Sequence, residues 1–158
     1  LGIGMASSVR VGQALGKNDP VGARRAGFTG VGISTLFMMF SAVLFLVMPR
    51  GIVSLYLDLN EPSNALVVEM AVNLLFFAAI FQVVDGIQVT MMGALRGMKD
   101  TYQPMVLSVL SYWGVGLVSG YLLAFHFGYN EVGLWWGLVL GLASAAVLLT
   151  RRFHYLSK

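Results

Sequence analysis

Residues 81–97 read FQVVDGIQVTMMGALRG, and one acid, Asp85, stands in this otherwise apolar run. Helical spacing puts Gln82 three residues before it and Gln88 three residues after it, so a carboxylate and two amides share one face, flanked by Phe81 and Val89. Such a group can bind a proton, a sodium ion or a cationic substrate, with the amides as hydrogen-bonding support. The plainer reading is a carboxyl that only ties helices together. Other chemistry finds little footing. His126 and His154 have no ligand partner at i+3 or i+4, so both read as interfacial side chains, and there is no cysteine for a disulfide or a thiolate metal site. Neither a Ser/His/Asp set nor a pair of carboxylates points to hydrolysis. VGQALG at 11–16 is not a phosphate loop, because no strand precedes it and no GKS or GKT follows. The sequence argues against an enzyme.

The elements that carry Asp85 follow from composition. Hydrophobic residues make up 58% of the chain, charged ones 11%, and the mean hydropathy is +0.79, a balance foreign to soluble domains. Uncharged runs cover 26–48, 104–125 and 132–150, and a fourth run, 70–95, is broken only by Asp85. Each is near the length of about 20 residues that crosses the hydrocarbon, and far longer than the roughly ten of a barrel strand. A lipid core offers the backbone no water, so these runs must be helices. The chain is expected to be an all-α membrane protein, a polytopic transmembrane helix bundle. Its opening, LGIGMASSVRVGQALG, is apolar from the first residue and reads as the end of a fifth span, so the chain is expected to be a fragment.

Proline marks the boundaries, since it is tolerated where a helix begins. Asp19-Pro20 reads as an N-cap followed by the first helical residue, Pro62 and Pro104 open later helices, and Pro49 closes one. GIVSLYLDLNEP at 51–62 is expected to form a short interfacial helix. At 1.5 Å per residue, Asp85 lies about 16 Å along its helix from Arg96 and about 24 Å from Glu69, too deep to snorkel. A carboxylate at that depth costs at least about 2.5 to 3.5 kcal/mol on insertion scales, so it requires a protein interior or a wet cavity.

Lys and Arg give orientation. Arg10, Lys17, Arg24, Arg25, Arg96, Lys99, Arg151, Arg152 and Lys158 fall on one face of the membrane, and Arg50 alone falls on the other. The positive-inside rule assigns the first face, with the C-terminus, to the cytoplasm. The net charge of +3 is thereby explained as a topology signal, and no aromatic-interleaved basic groove suggests nucleic acid. Glycine is patterned as well. Gly133, Gly137, Gly141 and Ala145 recur every four residues, and Gly116 and Gly120 mirror them, which reads as close helix packing in lipid. Trp135 and Trp136 read as interface anchors, and Phe37, Met38, Met39 and Phe40 as lipid-facing or core filler. Ser108, Ser111, Tyr112 and Ser119 form a mildly polar stripe that either lines a cavity or bonds neighbouring helices.

The stretches ASSVRVGQALGKNDPVGAR at 6–24 and QVVDGIQVTMMGALRGMKDTYQP at 82–104 resemble the second lobe of the multidrug and toxic compound extrusion (MATE) transporters, in particular the NorM-like branch. The second stretch is the more specific, combining the intramembrane acid, the glutamine three residues on and the LRGMKDT turn before a proline. The resemblance implies part of one six-helix lobe of a twelve-helix, two-lobed MATE-type transporter. Residues 1–16 would end the eighth helix, 20–49 form the ninth, 62–97 the tenth, 103–126 the eleventh and 131–151 the twelfth, with 152–158 a cytoplasmic tail.

It further implies secondary active export of cationic amphipathic drugs or dyes in exchange for Na+ or H+, across the plasma (inner) membrane, with no cofactor beyond the coupling ion. Asp85 matches the acid of the tenth helix in the second-lobe cation site, and is the residue carried over as the Na+ ligand or proton carrier. Gln82 and Gln88 are supporting residues from spacing alone, and Ser108, Ser111 and Tyr112 are candidates for the cavity lining. Partners implied are membrane lipid and the missing N-terminal lobe, without which the fragment is not expected to transport. Two alternatives stand beside this reading. A related flippase for a lipid-linked sugar would want cationic residues deep in its spans, and none occurs here; a non-transporting membrane subunit would leave the buried acid unexplained.

Overall fold

The computed structural model describes residues 1–59 and 61–158. Six helices make up the molecule: α1 (Gly2–Gly16), α2 (Pro20–Val47), α3 (Pro49–Val53), α4 (Ala65–Gly97, led in by a single 3-10 turn, Pro62–Asn64), α5 (Tyr102–His126) and α6 (Asn130–Leu156). Four of them, α2, α4, α5 and α6, are long and apolar enough to cross a membrane. This is the polytopic all-α bundle that the uncharged runs require.

Local chemistry explains the helix ends. Asp19 caps α2, its carboxylate accepting the Gly22 N–H at 2.8 Å, with Pro20 in the first helical position. α1 and α4 end alike: Asn18 and Lys99 take left-handed backbone conformations (φ 56° and 62°), while the amides of Asp19 and Asp100 return to the carbonyls of Ala14 and Leu95. That turn leaves one aspartate to cap the next helix and the other to face α6. Pro49, expected to close a helix, follows the end of α2 and opens α3. The interfacial helix expected over 51–62 is confined to Pro49–Val53, and the Ser54 hydroxyl donates to the Gly51 carbonyl at 2.7 Å where the turn breaks away. Asn60, inside that stretch, lies outside the described residues.

Helices α1, α2 and α4 pack against one another, α6 packs on α4, and α5 leans chiefly on α6. The contacts are made by small residues. Gly137 and Gly141 of α6 face Gly120 and Gly116 of α5 so closely that a Cβ on Gly141 would sit 2.8 Å from the Gly116 Cα, so the glycine stripe is a packing surface. Gly4 and Gly93 bring α1 and α4 equally close. The filled core lies toward the Lys- and Arg-rich end of the bundle, where Val11, Ala23, Met91, Ala94, Leu95, Leu149 and Phe153 are fully shielded. Elsewhere apolar side chains such as Leu36, Phe37, Phe40 and Val47 point outward, as lipid requires.

At the basic end, two long-range polar contacts tie α6 to the turns before it. Arg152 pairs with Asp100 at 2.5 Å, and Arg24 donates to His154 Nδ1 at 3.3 Å while Phe28 packs edge-on against the Phe153 and His154 rings. These contacts carry α6 through Leu156, so residues 152–156, expected in a tail, are the last helical turn.

Candidate functional site

Asp85 sits well inside α4, half-buried, with Gly86 after it turned toward α2. The Ser34 hydroxyl donates to the Gly86 carbonyl at 3.1 Å and Thr90 donates to the same oxygen at 2.7 Å, which locks this turn against α2. The carboxylate itself has no ion-pair or hydrogen-bond partner among the described residues. Because a charge in the apolar layer is costly, that vacancy of partners is the defining feature of the site.

Of the residues expected around Asp85, the structure gathers some and separates others. Gln88 is buried on α4, one turn toward the basic end, and it borders a groove of about 430 Å³ between α1 and α4 that continues to Arg96. Tyr112 of α5 lies within electrostatic range of Asp85. Asp85 and Gln88, one turn apart, thus share one face of α4. Gln82 is engaged with α2 instead: its Oε1 accepts the Ser41 hydroxyl at 3.2 Å, and its buried Nε2 has no partner among the described residues. Ser108 and Ser111 are buried with unpartnered hydroxyls, and the Ser111 carbonyl lies against Gly141 of α6, so this part of the polar stripe faces the helix contact. Ser119 donates to Val115 of its own helix at 2.6 Å.

One element of the site escaped sequence reasoning. Leu110–Leu117 of α5 is wound as a π-helix, and Ser111 and Tyr112 ride on it. The wider turn changes the direction in which consecutive side chains project, and such turns gather at functional sites. The only signal in sequence was the pair Gly114 and Gly116, which frees the middle of the span from side-chain crowding.

No cluster of three or more His, Cys, Asp or Glu side chains that could hold a metal occurs among the described residues. Oxygen ligands for a monovalent cation are a different matter. The Asp85 carboxylate and the Gln88 amide, one turn apart on α4, both offer oxygens.

Four membrane-length helices, one of them carrying an intramembrane acid, define an integral, multi-pass membrane protein. The chain belongs to the MatE family, whose family model matches residues 1–122. It is 51% identical over 154 residues to the multidrug resistance protein NorM of Burkholderia vietnamiensis, covering 98% of this chain and 33% of that protein. A probable multidrug resistance protein NorM of Brucella suis is 46% identical over 154 residues, with the same coverage of 98% and 33%. Among solved structures, the eukaryotic MATE transporter AtDTX14 superposes with a TM-score of 0.78 at 25% identity, over 95% of this chain and 32% of that one. The chain thus spans about a third of the length of the relatives it matches.

Proposed function

We propose that this chain is the C-terminal part of a secondary active multidrug exporter, in which Asp85 binds the coupling cation. The observation that carries the proposal is the intramembrane Asp85 carboxylate, one turn from Gln88 and without an ion-pair or hydrogen-bond partner among the described residues. The relatives' name, multidrug resistance protein, supports a small-molecule substrate. A cationic amphipathic drug or dye is the class that an acidic, apolar cavity would accept. No catalysis is assigned to the chain.

In the proposed arrangement α1 corresponds to the end of the eighth helix of a twelve-helix transporter, and α2, α4, α5 and α6 to the ninth through twelfth. The Arg- and Lys-rich end faces the cytoplasm by the positive-inside rule, in the plasma (inner) membrane. The remaining walls of the cavity and any partner acids belong to the N-terminal lobe and the helices before α1.

The physical cycle follows from charge. With Asp85 ionised, the cavity holds a cationic drug. Binding of Na+ or H+ from outside neutralises the carboxylate, and the drug's affinity falls. Each ligand moves the inward- and outward-open equilibrium only by its difference in affinity for the two states, so competition at one carboxylate is enough to couple the two fluxes.

The test is ethidium efflux from cells making the complete protein or its Asp85→Asn form at matched expression, with sodium and pH gradients imposed separately. The proposal expects the parent to export and the variant to lose gradient-driven export, and the gradient that matters names the ion. Equal export by both would reduce Asp85 to a structural role; no export by either would overturn the drug-exporter reading.

A further inference from the structure

A second groove, of about 550 Å³, runs between α1 and α2 on a face that does not include Asp85. Its walls change character along their length. Toward the basic end stand Arg10 of α1 and Arg25 of α2, both exposed and neither in an ion pair or hydrogen bond among the described residues. Arg10 lies about 9 Å from the end of α1 and Arg25 about 8 Å from the start of α2, so the two guanidinium groups hang from neighbouring helices at one depth. The acid nearest in sequence, Asp19, already serves the Gly22 N–H. About 10 to 12 Å deeper, the walls become Ile3 and Ile33, with Ala6 and the Thr29 hydroxyl about 6 Å in, between the two zones.

Two unpaired guanidiniums one to two turns inside the helix ends sit at the level of lipid phosphates, and an apolar trough leads from them into the bilayer. Arginine binds phosphate through paired N–H donors, and basic pockets between transmembrane helices suit anionic head groups. A covering protein helix would need a carboxylate at this level to balance two cations; a phospholipid brings its negative charge at the right height and its acyl chain in the right direction.

We infer that the α1–α2 groove is a binding site for one anionic phospholipid, its phosphate held between Arg10 and Arg25 and one acyl chain lying along Ile3, Ala6 and Ile33. The inference stands apart from the transport reading.

The complete protein, purified and stripped of lipid in detergent, is titrated with phosphatidylglycerol or phosphatidylcholine of identical chains and followed by native mass spectrometry. The parent is expected to hold its first phosphatidylglycerol at least tenfold more tightly than phosphatidylcholine. That preference should vanish in R10Q/R25Q. In Ile33→Trp, which keeps both charges but fills the trough, phosphatidylglycerol should bind at least fivefold more weakly, and this variant carries the test if the double variant does not fold. Arg151→Gln, exposed and distant, should behave as the parent. Unchanged preference in R10Q/R25Q would overturn the inference. So would displacement of the lipid by an equal concentration of glycerol phosphate, which marks a phosphate site without a lipid, or a photo-crosslinker at position 33 that labels another protein segment.

Discussion

The two ends of α4 are built to opposite rules. Toward the basic end, Met91, Ala94 and Leu95 are fully shielded against Val11, Ala23, Leu149 and Phe153, with Arg152 paired to Asp100 and Arg24 hydrogen-bonded to His154 beside them. Two to three turns toward the other end, and among the described residues, Asp85 has no ion-pair or hydrogen-bond partner, Gln82 leaves an amide nitrogen unsatisfied, and Ser108 and Ser111 of α5 hold unpartnered hydroxyls. Packing of the first kind stabilises and fixes the helices. Unpaired polar groups of the second kind cost stability, and a membrane protein keeps them where a solute must be met. In the proposed exporter the first end is a clamp and the second a cavity wall.

Substitutions should respect that division. Phe153→Ala is expected to have the largest effect on stability. It removes a fully shielded ring lodged against Gly27 and Phe28, and should cost about 3 kcal/mol or more, read as a marked fall in thermal midpoint in detergent. A midpoint unchanged from the parent would show that the basic end is not a packed clamp. Next comes the Arg152–Asp100 pair, partly exposed at 29% and 16% of the two side chains, for which a double-mutant cycle with Arg152→Gln and Asp100→Asn should give a coupling of about 1 kcal/mol that shrinks with salt. Zero coupling at low salt would remove electrostatics from the clamp. The smallest effect is expected for Ser111→Ala, within about 1 kcal/mol and of either sign, because the lost hydroxyl has no partner to leave behind. A large loss there would mean that Ser111 belongs to the clamp.

The clamp and the cavity wall were not equally legible in sequence. The spans were, because hydropathy over some twenty residues integrates a large free energy, and Asp85 stood out against its run for the same reason. The glycine stripe of α6 was legible from its four-residue period and meets α5 as read. The clamp's polar ties were not: Arg24 and His154 lie 130 positions apart and Arg152 and Asp100 lie 52 apart, so nothing local marks them. Those same ties explain why α6 continues through Leu156 where charge alone suggested a tail. Around Asp85, periodicity put Gln82 and Gln88 on equal terms. Tertiary contact separates them, giving Gln82 to Ser41 and leaving Gln88 on the groove between α1 and α4. The π-helical turn that carries Tyr112 has no signal in the sequence beyond the pair Gly114 and Gly116.

The central claim is that a cation and a cationic drug compete for the Asp85 carboxylate. Fluorescence titration of ethidium into the complete purified protein, repeated across Na+ concentrations at fixed ionic strength and across pH, tests it most directly. The account predicts that raising the coupling cation weakens dye binding to the parent, and that Asp85→Asn binds the dye weakly with no dependence on either cation. A variant whose dye affinity responds to Na+ and pH as the parent's does would contradict the claim.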